Sequence, residues 1–186
     1  MTDSSRHFEA ATLPHLGAAY NLARWLLRDD QQAHDVVQEA YLRAFRFFEG
    51  LRGADARPWL LGIVRNACYD WMRSNAAIAD QLVFDETRDT ASAAVHADGA
   101  DPAALWERRA QRGRVNAAID ALAPPFREVI VLRELEEMSY EEIATVAGIP
   151  IGTVMSRLSR ARAALRIALQ DDASDVMVER KRDDYA

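Results

Sequence analysis

Residues 139–166 read SYEEIATVAGIPIGTVMSRLSRARAALR, and this stretch decides the fold of the second half of the chain. Ser139, followed three residues later by Glu142, has the pattern of a capping box, which opens a short helix. Gly148 can adopt the left-handed conformation that ends a helix, and Pro150 prevents that helix from continuing. The sequence therefore predicts two helices joined by a tight turn.

The second of these helices, which we expect to begin near Ile151 or Gly152, has two different faces. Apolar side chains at steps of three and four residues form one inward seam. Between residues 151 and 170 there are four Arg and no acidic residue, so the helix is locally a strong cation. The seam consists of Ile151, Val154, Leu158, Ala161 and Leu165. The outward face has Ser156, Ser159, Arg160 and Ala163 at its centre, Thr153 and Arg157 on one flank, and Met155, Arg162 and Arg166 on the other.

This outward face is typical of a helix that reads duplex DNA. Its small central residues permit close approach to base edges, and its flanking arginines can meet the two phosphate walls of a major groove. Arg160 can bind guanine through two hydrogen bonds. The alternative is a helical hairpin whose charged face is simply solvated. Because the capping box, glycine turn, proline and acid-free helix occur together at the right spacing, we favour a helix-turn-helix.

Composition extends the helical prediction to the whole chain. Of its 186 residues 49% are apolar, and Ala and Leu dominate over the β-branched residues, which suits packed helices. We therefore predict an all-α protein of two small helical domains. No run approaches the roughly 18 apolar residues of a membrane span, and the first residues lack signal-peptide order, so we expect a cytoplasmic protein without membrane insertion. The single cysteine, Cys68, is expected to be a core residue.

The apolar spacing divides the chain into four segments. Helical spacing runs from His7 to about Ser74, with breaks at 28–30 and 49–55. Asp29 or Asp30 is expected to cap the helix after the first break, and Pro58 to open the next one. The predicted segments are a first module at 1–76, an acidic linker at 77–111, a second module at 112–170, with helical spacing resuming near 102, and a charged, frayed tail at 171–186.

Two sets of motifs give the chain a resemblance to extracytoplasmic-function sigma factors of bacterial RNA polymerase. Residues 122–129, 139–144 and 152–162 resemble the fourth region of that family, whose helix-turn-helix binds the −35 promoter element. Residues 35–45 resemble the helix that binds the polymerase clamp. The segment that melts and reads the −10 element is matched by Trp59-Leu60, Ile63, Arg65-Asn66, Asp70 and Arg73.

The resemblance implies three groups of site residues. For core-polymerase binding they are Asp35, Gln38 and Glu39, which share the polar side of an amphipathic helix. For the −10 element they are Arg57, Arg65, Asn66 and Arg73, together with the loop at 49–57. The Gly-Ala-Asp-Ala section of this loop differs from the sequence most common in the family. For the −35 element they are Thr153, Met155, Ser156, Arg157, Ser159 and Arg160. Plain ion pairs, Glu39 with Arg43 and Asp70 with Arg73, are the alternative for two of these positions.

The resemblance further implies an alternative sigma factor whose partners are core RNA polymerase, promoter DNA and an anti-sigma factor. No catalytic residue, cofactor or metal is expected, and the free chain is expected to be a monomer. The acidic linker either threads the polymerase cleft or is a solvated spacer.

Three other functions stay open on the sequence. A stand-alone helix-turn-helix regulator would bind a palindromic site as a dimer without polymerase. A metal-dependent phosphohydrolase is suggested by His34-Asp35, although the other histidines have no metal-ligand spacing. A purely protein-binding helical scaffold would not need Arg157 or Arg160.

Overall fold

The computed structural model describes residues 3–51, 55–81 and 102–183, and every regular element in these ranges is helical. This confirms the predicted all-α fold. Residues 82–101, most of the predicted linker, lie outside the described residues, as do 52–54 of the predicted −10 loop. The elements are α1 (Asp3–Thr12), a 3-10 turn (Leu13–His15), α2 (Leu16–Leu27), α3 (Asp30–Phe47), a 3-10 turn (Phe48–Gly50), α4 (Ala56–Gln81), α5 (Pro102–Ala121), α6 (Pro124–Ile130), a π-helical turn (Val131–Leu135), α7 (Tyr140–Ala147) and α8 (Ile151–Asp183).

Two aspartate side chains, those of Asp29 and Asp55, cap helices of the first module. Arg28 adopts a left-handed conformation at the end of α2, and Asp29 Oδ1 then accepts a hydrogen bond from the Gln32 amide at 2.9 Å, which caps α3. α4 begins at Ala56, two residues before the predicted Pro58. Asp55 Oδ1 accepts from the Arg57 amide at 3.0 Å and so caps this earlier start. Pro58 still lies in the first helical turn, where no amide donor is needed.

The core of the first module lies between α2, α3 and α4. Helical spacing in the sequence predicts one inward face on each of α3 and α4, and all the residues of these faces are buried or half-buried. They are Val37, Ala40, Tyr41, Ala44 and Phe48 of α3, and Leu60, Ile63, Val64, Ala67 and Trp71 of α4. Phe8 of α1 closes one end of this core, with its ring 4.8 to 5.2 Å from those of Tyr41, Phe45 and Phe48. The fully buried residues on the predicted faces are Ala40, Ala44, Leu60 and Val64.

The second module follows the predicted breaks and runs longer than expected. α6 begins at Pro124. The apolar run at 129–132 could be a strand by propensity, but the helical spacing on both sides of it predicts a helix, and it is helical, although it passes into a π-helical turn. α8 continues to Asp183, through the tail that was expected to fray from Asp171. No Gly or Pro follows Gly152 in this helix, so nothing in the sequence breaks it.

The two modules pack against each other and share one continuous apolar core. α4 contacts α7, and α2 contacts α6. α4 therefore carries a second buried stripe beside its predicted one, and Leu61 and Cys68 are fully buried. The two modules lie close together at Gly62, where an added Cβ would lie 3.7 Å from the Val146 carbonyl oxygen. The burial of Cys68 was predicted from the sequence and is confirmed, whereas the burial of Leu61 and the contact of this stripe with the second module were not predicted.

Candidate nucleic-acid interface

The helix-turn-helix forms as predicted. Ser139 Oγ accepts from the Glu142 amide at 3.1 Å, and Glu142 Oε2 accepts from the Ser139 amide at 2.7 Å, which completes the capping box. Gly148 ends α7 with φ of 64°, a conformation in which a side chain would be strained. α8 then begins at Ile151. The capping box therefore fixes the start of α7, and Gly148 fixes its end.

α8 exposes the surface that was predicted to read DNA. Met155, Ser156, Ser159 and Arg160 are exposed, whereas Thr153 and Arg157 on the flank are half-buried. The inward seam is confirmed at Val154, Leu158 and Ala161, which are buried, and Leu165 is half-buried. It is wrong at Ile151, which is 38% exposed. Ile151 is the first residue of α8, so no preceding helical turn of α8 is there to cover it.

Arg162, on the other flank of this surface, is held by an acidic residue that the sequence did not indicate. Its Nε and Nη2 donate to Glu134 Oε1 at 3.2 and 2.7 Å. The hydrogen bond to Glu134 raises the pKa of Arg162 above its ordinary value. Glu134 lies in the π-helical turn, 28 residues away. No local sequence pattern could have identified this pair.

The predicted polymerase-binding residues lie together on α3. Asp35, Gln38 and Glu39 are all exposed, and we call them the α3 ridge. The predicted ion pair is also present, because Arg43 Nη2 lies 2.6 Å from Glu39 Oε1. Arg43 also lies 3.8 Å from Asp70 of α4. The ridge is therefore an exposed polar surface braced at one end by an arginine.

The four residues predicted to read the −10 element fall into two pairs. Asn66 and Arg73 are exposed on α4, and Arg73 pairs with Asp70 as the alternative interpretation proposed. Arg57 and Arg65 instead turn towards the second module. Arg65 Nη1 still donates to Asn66 Oδ1 at 3.1 Å, so α4 keeps part of the set together.

Arg65 ends at a carboxylate that belongs to α6. Its Nε donates to Glu128 Oε1 at 2.6 Å, and the Tyr69 hydroxyl donates to Glu128 Oε2 at 3.1 Å. Glu128 is fully buried, and the Arg65 guanidinium stacks 4.3 Å from the centre of the Tyr69 ring. Burial is the largest single effect and acts to lower the pKa of Arg65, but the hydrogen bond to Glu128, the charge of Glu128 and the neighbouring Tyr69 together outweigh it and raise the pKa.

The negative charge of Glu128 also affects the pKa of two neighbouring groups on α4, the Cys68 thiol and the Tyr69 hydroxyl. Burial raises the pKa of the Cys68 thiol to about 12, and Glu128 adds to the shift. Burial and Glu128 likewise raise the pKa of Tyr69, while Arg65 and Arg157 oppose them. Arg157 of α8 is therefore close to Tyr69 of α4. The Cys68 thiol and the Tyr69 hydroxyl both stay protonated at neutral pH.

Arg57 makes a second link between the modules. Its Nη2 donates to the Glu136 carbonyl oxygen at 2.6 Å and lies 3.3 Å from Glu136 Oε2. Asn21 Nδ2 of α2 donates to Glu136 Oε1 at 2.6 Å. One acidic residue that follows the π-helical turn is thus bound by two side chains of the first module.

Arg127 makes the third link and is itself buried. Its guanidinium joins the carboxyl-terminal end of α2 to that of α5, where helix dipoles favour a cation. Burial lowers the pKa of Arg127 to about 10, with the charge of Arg28 acting in the same direction. The carbonyl acceptors are those of Trp25 (3.0 Å) and Leu26 (3.5 Å) in α2, and of Ile119 (3.3 Å), Asp120 (2.8 Å) and Leu122 (2.6 Å) at the end of α5.

The described residues hold no group of three or more His, Cys, Asp or Glu side chains that could bind a metal ion. His34, which suggested one, packs its ring 4.4 Å from that of Tyr20, and its Nδ1 lies 3.0 Å from the Asp30 carbonyl oxygen. Within residues 3–51, 55–81 and 102–183, no helix is both long enough and apolar enough to cross a membrane.

Comparison with known protein families matches each module separately. Residues 13–78 match the family model described as Sigma-70 region 2, and residues 112–165 match Sigma-70, region 4. The two matched ranges correspond to the first module and to the module that contains the helix-turn-helix.

Curated relatives match most of the chain at once. The ECF RNA polymerase sigma factor SigE of Mycolicibacterium smegmatis is 32% identical over 162 residues, which are 87% of this chain and 61% of that protein. The RNA polymerase sigma-H factor of Pseudomonas aeruginosa is 32% identical over 89% of this chain and 87% of its own length. The ECF RNA polymerase sigma-E factor of Escherichia coli is 34% identical over 70% of each chain.

Two solved structures share the fold over about nine tenths of the chain. One is the sigma factor RpoE in complex with the anti-sigma factor NepR from Bartonella quintana, with a TM-score of 0.71 and 29% identity over 89% of this chain and 98% of that one. The other is CnrH in complex with the cytosolic domain of CnrY, with a TM-score of 0.64 and 26% identity over 90% of each chain. Since both regions and the relatives agree, the chain belongs to the extracytoplasmic-function sigma factors, which direct bacterial RNA polymerase to promoters.

Proposed function

We propose that this sigma factor binds core RNA polymerase through the α3 ridge and then engages the two promoter elements with separate helices. The exposed face of α8 reads the −35 element, with Arg160 on a base and Arg157 on a phosphate. Asn66 and Arg73, joined by Arg57 and Arg65, bind the −10 element as it opens. The observation that carries the proposal is the presence, in one chain, of an exposed polar ridge on α3 and an exposed basic face on α8.

The chain acts on DNA only as part of the polymerase, which performs the chemistry. It therefore works in the cytoplasm, without a cofactor or a catalytic residue of its own. A protein regulator of the anti-sigma class is the third partner, because the Bartonella quintana relative is bound to such a protein. The free chain is a monomer.

Co-elution with purified bacterial core RNA polymerase on gel filtration tests the docking surface. The wild-type chain should co-elute, and the double variant Asp35→Arg, Glu39→Arg should not, because it reverses two charges on the α3 ridge. The control variant Glu137→Arg, Glu141→Arg changes the net charge equally at exposed positions of the second module, and it should still co-elute.

Circular dichroism should give the same helical content for all three proteins. Failure of the folded wild type to co-elute would favour the stand-alone regulator, which would also show as a dimer on a palindromic site. Equal loss of binding in both double variants would show that the α3 ridge is not the specific docking surface.

A further inference from the structure

Two apolar side chains are exposed at the beginning of α8, and we call them the apolar pair. Met155 is 51% exposed and Ile151 is 38% exposed, and neither belongs to the apolar core. They are four positions apart in one helix, so their side chains are neighbours on the same side of it. The fold of the second module therefore does not account for the apolar character of these two residues.

The charge around the apolar pair favours a negatively charged partner. Residues 151–170 contain four Arg and no acidic residue. Arg157 and Arg160, close to the pair on α8, form no ion pair with any described residue. Cations without a partner attract an anion and repel a basic surface. A molecule that fits this end of α8 must therefore carry negative charge and also offer an apolar group.

The 5-methyl group of thymine is the apolar group that duplex DNA presents in its major groove. The other groups on the base edges there are amino groups, carbonyl oxygens and ring nitrogens, which need hydrogen-bond partners. Against the side chain of Met155 they would lose water without gaining a partner, which is unfavourable. The first residues of a recognition helix are the ones that reach base edges, and a methionine side chain is flexible enough to fit a methyl group. Thymine is therefore the base that suits the apolar pair.

The spacing of Met155 and Arg160 indicates where this thymine lies. The two residues are five positions apart, which is about 7.5 Å along an α-helix at about 1.5 Å per residue. Base pairs are stacked about 3.4 Å apart, so the same distance spans about two steps of duplex. With α8 in the major groove, the base beside Met155 is about two base pairs from the base beside Arg160.

We propose that Met155, with Ile151 beside it, binds the methyl group of a thymine in the −35 element, about two base pairs from the guanine that Arg160 contacts. This assignment rests on the proposed function, which places the exposed face of α8 on the −35 element, and it adds the identity of one base. The methyl contact distinguishes thymine from cytosine, which lacks the methyl group and presents an amino group instead.

Replacement of thymine by deoxyuridine tests the methyl contact alone, because the two bases have the same hydrogen-bonding groups. The probe is a fluorescein-labelled promoter duplex, selected by the polymerase holoenzyme from a random library. Each thymine within about three base pairs of the guanine whose preference Arg160→Ala relaxes is replaced in turn. Holoenzyme with the wild-type chain should lose about four-fold in affinity at one of these thymines, the effect of removing one methyl group from an apolar contact. Fluorescence anisotropy measures the Kd.

Variants of α8 separate the methyl contact from a general effect on the helix. Met155→Gln keeps the length of the side chain and ends it in an amide, so thymine and deoxyuridine duplexes should bind equally. Met155→Leu stays apolar and should keep the preference of about four-fold. The matched control is Ile167→Ala, which removes another exposed apolar side chain, 61% exposed, about 18 Å further along α8. This control should also keep the preference.

The thymine contact is refuted if wild-type holoenzyme binds thymine and deoxyuridine equally at all these positions, or if the selected element has no thymine there. Retention of the preference in Met155→Gln would also refute it, and would leave the apolar pair to another anionic partner, such as an acidic protein. In each of these cases a −35 element has been selected, so the proposed function stands. Failure of the holoenzyme to select any −35 element would overturn the proposed function and the thymine contact with it.

Discussion

At the scale of single residues, two glycines of the second module have opposite roles. Gly148 ends α7 at φ of 64°, and an added Cβ there would meet no atom within 4 Å. The glycine is needed for its backbone conformation and not for space. Gly113 lies inside α5, with nothing within 4 Å of an added Cβ and no positive φ. Its missing side chain only weakens the helix.

The two glycines should therefore respond oppositely to alanine. Gly148→Ala should lower the free energy of unfolding by about 1–2 kcal/mol, the cost of a left-handed conformation, and Gly148→Val by more, because a β-branched residue resists positive φ. Gly113→Ala should raise it by about 0.5–1 kcal/mol. Urea unfolding followed by circular dichroism measures all three. Unchanged stability in Gly148→Val would show that the turn has another geometry.

At the scale of elements, α8 and its turn were predictable because their signals are local. The capping box, Gly148 and the seam of α8 all lie within 28 residues of sequence. Each depends only on neighbours three or four positions away. The pair between Arg162 and Glu134 was not predictable, since it joins α8 to a π-helical turn whose geometry no local pattern indicates. The sequence therefore predicted the exposed face of α8 correctly but missed the acidic partner of Arg162.

Alanine substitutions of Arg160 and Arg166 on α8 should distinguish a contact with a base from a contact with a phosphate. Arg160→Ala should weaken binding of polymerase holoenzyme to a promoter selected from a random duplex library by about 1–3 kcal/mol, with relaxed preference at one −35 position. Arg166→Ala should weaken binding to all sequences alike and reduce the salt dependence. If Arg160→Ala has the same sequence preference as wild type, the predicted contact between Arg160 and a base is wrong.

At the scale of the whole molecule, the contact between the modules could not be predicted from the sequence. Arg65 and Glu128 are 63 positions apart, and nothing in the local pattern of either helix identifies one as the partner of the other. Leu61 and Cys68 extend the apolar face of α4 beyond the predicted stripe, but that alone does not identify a partner. The helices were predictable because their periodicity is intrinsic. Their assembly depends on complementarity between distant surfaces.

Arg127 should contribute more to the stability of this assembly than any exposed arginine. Arg127→Met should lower the free energy of unfolding by about 3 kcal/mol or more, because each buried carbonyl left without a donor costs about 1–3 kcal/mol. Arg109→Met, at an exposed position of α5, should change it by less than about 0.5 kcal/mol. Thermal unfolding compares the two variants. Equal melting temperatures would contradict the bridging role of Arg127.

The second buried stripe of α4 has a consequence for the growing chain on the ribosome. α4 is complete at Gln81, but α7, which covers the stripe, is complete only at Ala147, 66 residues later. At a synthesis rate of about 5–20 residues per second, α4 is uncovered for roughly 3–13 s. During this interval Leu61, Arg65 and Tyr69 face solvent together. The newborn chain thus exposes an apolar stripe and its neighbouring Arg65 side chain before the helices that cover them have been made.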